Sequence, residues 1–137
     1  MRSFLYATHR MKRIIHTDRA PAPVGPYNQA VIHNDTLYVS GQIALDAASG
    51  QMLQDSIEAE TRQVLANIRH ILAEADLNPA HIIKCSVFVT DMDDYSRINA
   101  VYAEFFKGVQ APARELVQVA RLPKDARVEI SVVAAFD

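Results

Sequence analysis

The chain of 137 residues contains a single cysteine, no tryptophan and only four glycines. One thiol, Cys85, excludes an internal disulfide and suits a reducing compartment, so a cytoplasmic location is expected. No apolar run approaches the ~18 residues that a membrane-spanning helix needs, and no membrane partner is expected. Neither sign of charge prevails: 14 Lys and Arg are scattered among 16 Asp and Glu, a net charge of −2 with His neutral. Without a basic stripe to track phosphates, nucleic acid is not an expected partner. The enzyme signatures readable from spacing are missing as well: there is no P-loop, no G-x-G-x-x-G, no G-x-S-x-G and no C-x-x-C. His9, His16, His33, His70 and His81 are dispersed and include no H-E-x-x-H pair, so no metal site is expected.

What is present is a globular composition, 50% hydrophobic and 22% charged, which excludes disorder for the bulk of the chain. The length suits one domain that can bury about two-thirds of its unfolded surface. Residues 1–10 (MRSFLYATHR) carry two Arg and no acid. They read as an N-terminal extension, too short for a secretory signal and expected to be peripheral and mobile. The domain itself is expected over residues 11–137.

Within it, Lys12 to His16 reads as a strand and the Pro-rich stretch Thr17 to Pro26 as an ordered loop. Ala30 to His33 and Thr36 to Ser40 flank Asn34-Asp35, a hairpin turn. A 3.6-residue apolar period predicts a helix over Ser56 to Ala75, with Asp55 and Glu58 as a capping box. Glu60, Arg62, Arg69 and Glu74 are expected on its solvated face. Ile83 to Thr90 reads as a strand apolar on both sides. A second helix is expected over Tyr95 to Phe106, with Gly108 at its C′ position. Arg114 to Ala120 and Ala126 to Phe136 are the final strands. The order β-ββ-α-β-α-ββ predicts an α+β two-layer domain, a mixed β-sheet with two helices packed on one face. Two helices cannot cover both faces, and the last strand is apolar on both sides, so self-association is expected.

Cys85 lies mid-strand among apolar neighbours and reads as a buried structural thiol. Three local groups are better candidates for chemistry. In Val24 to Ala30, Gly25 and Pro26 fix a backbone path that presents Tyr27. In Val39-Ser40-Gly41-Gln42, a glycine inside a strand marks a bulge or a close backbone approach. Arg114 opens a mostly apolar strand, where a guanidinium is costly unless it meets an anion. Pairing with Glu115 or with another chain's acid is the structural alternative.

Gly25-Pro26-Tyr27, Ser40-Gly41-Gln42, Asn99-Ala100 before Tyr102 and Phe105-Phe106, Pro112-Ala113-Arg114, Val119-Ala120-Arg121-Leu122-Pro123 and Val128-Glu129-Ile130 follow one another in a characteristic order. In this the chain closely resembles the RidA (reactive intermediate deaminase, YjgF) family, from about Lys12 to Phe136. The resemblance implies a chorismate-mutase-like fold and a homotrimer with ligand clefts between subunits. It implies cofactor-free hydrolysis of 2-imino acids and their enamine tautomers (2-aminoacrylate, 2-iminopropanoate, 2-iminobutanoate) to 2-keto acids and ammonia, a form of metabolite damage control. By the same resemblance, Arg114 matches a carboxylate-binding arginine and Glu129 the acid that holds the attacking water. Tyr27, Ser40, Gly41 and Asn99 match cleft-lining positions. Leu116 stands where many members have Cys, at a position that contributes backbone contacts.

The chemistry accords with these residue types. Arg grips a carboxylate with two parallel N–H bonds, which Lys cannot do. A carboxylate can orient water and accept its proton. If the last two strands pair around Pro123-Lys124, Glu129 lies opposite Gln118, and Arg114 shares its face. Glu115 should point the other way. A non-catalytic trimeric binding module that senses small carboxylates is the alternative reading. A chorismate-mutase-like isomerase and an RNA-cleaving protein fit the sequence less well.

Overall fold

A computed structural model describes residues 11–137; the expectations for residues 1–10 lie outside the described residues. The elements are β1 (Arg13–Ile15), β2 (Ala30–His33), β3 (Thr36–Gln42), α1 (Ile57–Glu74), β4 (Ile82–Val89), α2 (Tyr95–Phe105), β5 (Ala113–Gln118) and β6 (Val128–Ala135). Their order is the one read from the sequence. They form a mixed six-stranded sheet, β1-β2-β3-β6-β4-β5. Only β4 and β5 run parallel.

The hairpin turn forms at Asn34-Asp35, where Asn34 takes the left-handed φ of 53° that Asn tolerates better than most residues. β3 shifts register against β6 between Val39 and Gln42, the irregularity expected around Gly41. Ser56, not Asp55, caps α1: its Oγ accepts from the Ala59 N–H at 3.0 Å. Gly108 takes φ 83°, two residues beyond the α2 cap Phe106 and so one later than expected.

α1 buries Ile57, Val64, Leu65, Ile68, Ile71 and Leu72 against the sheet. With Leu37, Val39, Cys85, Val87, Val89, Ile98, Val101, Val128, Ile130 and Val132 they form one apolar cluster. Removing a large side chain here would cost about 2–5 kcal/mol. Glu60 is not on the solvated face. It is fully buried, because it lies three residues after Ile57 and four before Val64, on the packing stripe itself. Its Oε1 accepts from Arg127 Nε at 2.7 Å, and its Oε2 accepts from the Arg127 backbone N–H at 2.7 Å and from Gln54 Nε2 at 3.2 Å.

The last two strands do not pair with each other. β4 inserts between them, parallel to β5 and antiparallel to β6. Gln118 stands level with Val89 and hence Val128, while Glu129 is level with Phe88 and Val117. The segment after β5 passes through a 3-10 turn, Pro123–Asp125, in which Lys124 takes φ 55°. The uncovered face of the sheet carries Tyr38 and Val117, 48% and 45% exposed.

Candidate functional site

The register decides which side chains can meet. Arg114, Cys85 and Val132 are level neighbours, as are Leu116, Val87 and Ile130. Level neighbours share a face, so Arg114 and Leu116 belong to the helix-covered face. Glu129 is level with Phe88 and Val117, one residue out of phase, and belongs to the uncovered face. The expectation that Arg114 and Glu129 share a face is therefore overturned. The parity argument fails because it assumed that β5 and β6 are direct partners.

On the helix-covered side, α2 builds a cradle for Arg114. Tyr95, Asn99 and Tyr102 recur at i, i+4 and i+7 and so share one helix face. Arg114 Nη1 donates to Asn99 Oδ1 at 2.9 Å, and Nη2 donates to the Tyr95 hydroxyl at 3.1 Å. The guanidinium carbon lies 4.7 Å from the Tyr102 ring centre and 5.8 Å from that of Tyr95, within cation–π range. No carboxylate pairs with Arg114 among the described residues. Glu115 points away, as expected, and bonds Ser86 Oγ at 3.0 Å and Lys84 Nζ at 3.3 Å. Those two groups hold its carboxyl below the usual range, Ser86 foremost. Beneath Arg114, the Tyr102 hydroxyl is buried beside the Cys85 thiol and makes no well-formed hydrogen bond among the described residues. Burial pushes both the phenol and the thiol up from their ordinary values. Cys85 is thus an inert core thiol, as the sequence suggested.

The second group gathers around Glu129. A depression of about 160 Å³ is lined by Tyr27, Gly41, Gln42, Pro123, Lys124 and Glu129, among others. Gly41 leaves room for the acid: a Cβ there would lie 2.9 Å from both Cδ and Oε2 of Glu129. Burial alone raises the Glu129 pKa above the ordinary carboxylate range. Ser40 borders this region and is spent on the backbone, its Oγ donating to the Asn28 carbonyl at 2.6 Å. Tyr27 is 48% exposed, with its hydroxyl accepting from the Val24 N–H at 3.4 Å.

Thus the seven site residues read from the sequence fall into two sets. Arg114, Asn99 and Leu116 lie by α2 and the edge strand; Glu129, Gly41, Tyr27 and Ser40 lie around β3 and the start of β6. Sequence reasoning missed the supports. Tyr95 figures in the sequence reading only as the first residue of the second helix. Buried Gln29 ties down the Pro-rich loop: its Oε1 accepts from the Thr17 N–H at 2.8 Å, and its amide nitrogen donates toward the carbonyls of Thr17, Ala20 and Pro21. Glu60, by holding Arg127, fixes the chain two residues before Glu129. A polar residue at a core period was the available signal for it. Among the described residues, no group of three or more His, Cys, Asp or Glu is arranged to hold a metal ion, and no helix is long and apolar enough to cross a membrane.

The chain is similar to known proteins along nearly its whole length. The family model described as Endoribonuclease L-PSP matches residues 17–136. A RutC family protein of Synechocystis is 46% identical over 125 residues, covering 90% of this chain and 96% of that protein. A 2-iminobutanoate/2-iminopropanoate deaminase of Capra hircus is 44% identical over 124 residues, 90% of each chain. Among solved structures, E. coli TdcF with bound serine is 40% identical, has a TM-score of 0.88 and covers 91% of this chain and 99% of its own. Extending over the strands and loops that carry both residue sets, these likenesses show that the chain belongs to the Endoribonuclease L-PSP family, the RidA/YjgF family that its motifs resemble.

Proposed function

We propose that this protein is a cofactor-free deaminase that hydrolyses reactive 2-imino acids and their enamine tautomers to 2-keto acids and ammonia. Its substrates would be small, of the 2-aminoacrylate, 2-iminopropanoate and 2-iminobutanoate class. The observation that carries the reading is Arg114: a guanidinium held by Asn99 and two tyrosine rings, with no carboxylate partner among the described residues. A planar fork so placed suits a substrate carboxylate. The deaminase name of relatives at 40–44% identity supports the reaction, and the serine bound to TdcF supports a small amino-acid-like ligand.

Arg114 and Glu129 lie on opposite faces, so one chain cannot bring both to one small molecule. The reading therefore includes a homotrimer of chorismate-mutase-like domains. Each cleft takes Arg114, Asn99 and Leu116 from one protomer and Glu129, Tyr27, Ser40 and Gly41 from the next. The uncovered sheet face, with Tyr38 and Val117 exposed, supports such assembly. The free buried thiol agrees with a cytoplasmic setting.

In this cleft, Arg114 holds the carboxylate and so the plane of the C=N bond. Glu129 accepts a proton from water as the water oxygen bonds to C2 and the C=N electron pair moves to nitrogen. Glu129 returns that proton to nitrogen to give the carbinolamine; the hydroxyl proton then passes to nitrogen as the O–H electron pair closes the C=O bond, the C–N bond breaks, and ammonia leaves a 2-keto acid. Burial raises the Glu129 pKa, which makes its carboxylate a better proton acceptor than an exposed one. Because imines hydrolyse readily in water, positioning and one proton shuttle suffice, the latter worth about 10²–10⁴-fold.

RNA cleavage, the activity in the family description, is less well supported: among the described residues no histidine joins either residue set, and the net charge is −2. The test couples a threonine dehydratase to the protein and follows 2-keto acid release against imine trapping by semicarbazide. Wild type should shorten the imine lifetime and Arg114→Ala should not. An unchanged lifetime with wild type, together with carboxylate binding, would instead assign a binding module.

A further inference from the structure

Arg114 carries five N–H donors, and what its neighbours do with them decides how it can receive a ligand. Asn99 takes one from Nη1 and the Tyr95 hydroxyl takes one from Nη2. Each terminal nitrogen therefore keeps one proton uncommitted for a ligand. A single hydrogen bond would leave the guanidinium free to swing about its long side chain. Two bonds from one helix face, at i and i+4, fix both the position and the plane. Stacking over the Tyr102 ring supplies the third constraint.

From this geometry we propose that Tyr95 is a positioning residue for carboxylate recognition, acting through its hydroxyl oxygen on the Arg114 fork. This rests on the deaminase reading for the identity of the ligand and adds a residue to it. The ring is 38% exposed, so its packing contributes little to the core. The hydroxyl is the informative part: Phe would keep the ring at 5.8 Å from the guanidinium and lose only the acceptor.

Tyr95→Phe tests this with two readouts. The first is the dissociation constant for 2-oxobutanoate, a stable carboxylate of the product class, by calorimetry. The second is KM and kcat for imine generated in place. The variant is expected to weaken 2-oxobutanoate binding and raise KM together, by about 3- to 10-fold, with kcat within a factor of about two. Its melting temperature should stay that of wild type. In an Arg114→Lys background, which lacks the fork, Tyr95→Phe should change neither value further. Unchanged binding and KM in Tyr95→Phe, in a wild type that binds and turns over, would overturn this inference and leave the deaminase reading standing. Wild type that binds 2-oxobutanoate but leaves imines untouched would remove the deaminase reading, while a binding loss in Tyr95→Phe would still sustain the positioning role.

Discussion

Arg114 and Glu129 leave the sheet on opposite faces, two strands apart, with β4 between them. Each sits in a different polar setting, the first in a tyrosine-asparagine cradle and the second half-buried over Gly41. On the proposed reading the division separates binding from proton transfer, so changes on one side should leave the other's step intact.

Glu129→Gln should therefore keep affinity for 2-oxobutanoate and lose about 10²–10⁴-fold in kcat. Burial raises the Glu129 pKa, so the active, ionised form disappears as pH falls through that raised value. The kcat profile of wild type should drop on its acid side at a pH above the ordinary carboxylate range, and Glu129→Gln should lack that limb. The stability linkage has the opposite sign to a salt-bridged acid. The folded state binds this proton more tightly than the unfolded one, so the favourable contribution is present at low pH and is lost as pH rises through the folded pKa. Glu129→Gln should then melt no lower than wild type at neutral pH, which calorimetry can read.

Gly41→Ala should act on the same carboxylate. The new methyl would lie 2.9 Å from Glu129 Cδ, too close, and the side-chain end can swing away more cheaply than the backbone can. The expected result is a kcat loss on the order of 10²-fold from displacement of the acid, with a stability change below about 1 kcal/mol. A large loss of folded protein with normal kcat per folded molecule would contradict it. Kinetics alongside urea unfolding separates the two.

Glu60→Ala should mainly unfold. It strips the Arg127 N–H, the Arg127 guanidinium and Gln54 of a common acceptor inside the protein. Breaking a buried pair in this way costs about 3 kcal/mol or more, read as a fall in the denaturant midpoint. Arg97→Ala makes a useful contrast. Its bond to Glu58 is on the surface, and its loss should barely move the midpoint.

Much of the fold was legible because the signals were local. The helices announced themselves by apolar period and the hairpin by Asn34-Asp35. The bulge announced itself by Gly41. Arg114 stood out as a charge in an apolar strand. Non-local facts were hidden. Strand order cannot be read from alternation, so β4's insertion between β5 and β6 escaped detection and with it the true faces of Arg114 and Glu129. Glu60 was assigned to solvent because its residue type was weighed above its phase in the helix. Its partner, Arg127, lies 67 residues away, a pairing no short-range pattern encodes. Tyr95 could be placed in the second helix, but its reach to Arg114 depended on the β4–β5 register.

The most direct test is subunit complementation. Arg114→Ala and Glu129→Ala, each inactive alone, are co-expressed with different tags, and the mixed assembly is purified through both. In a cyclic trimer with composite clefts, one cleft in every mixed assembly receives Arg114 from one protomer and Glu129 from its neighbour, so about a third of wild-type imine hydrolysis should return. Mixed assemblies no more active than either variant alone would contradict the shared cleft.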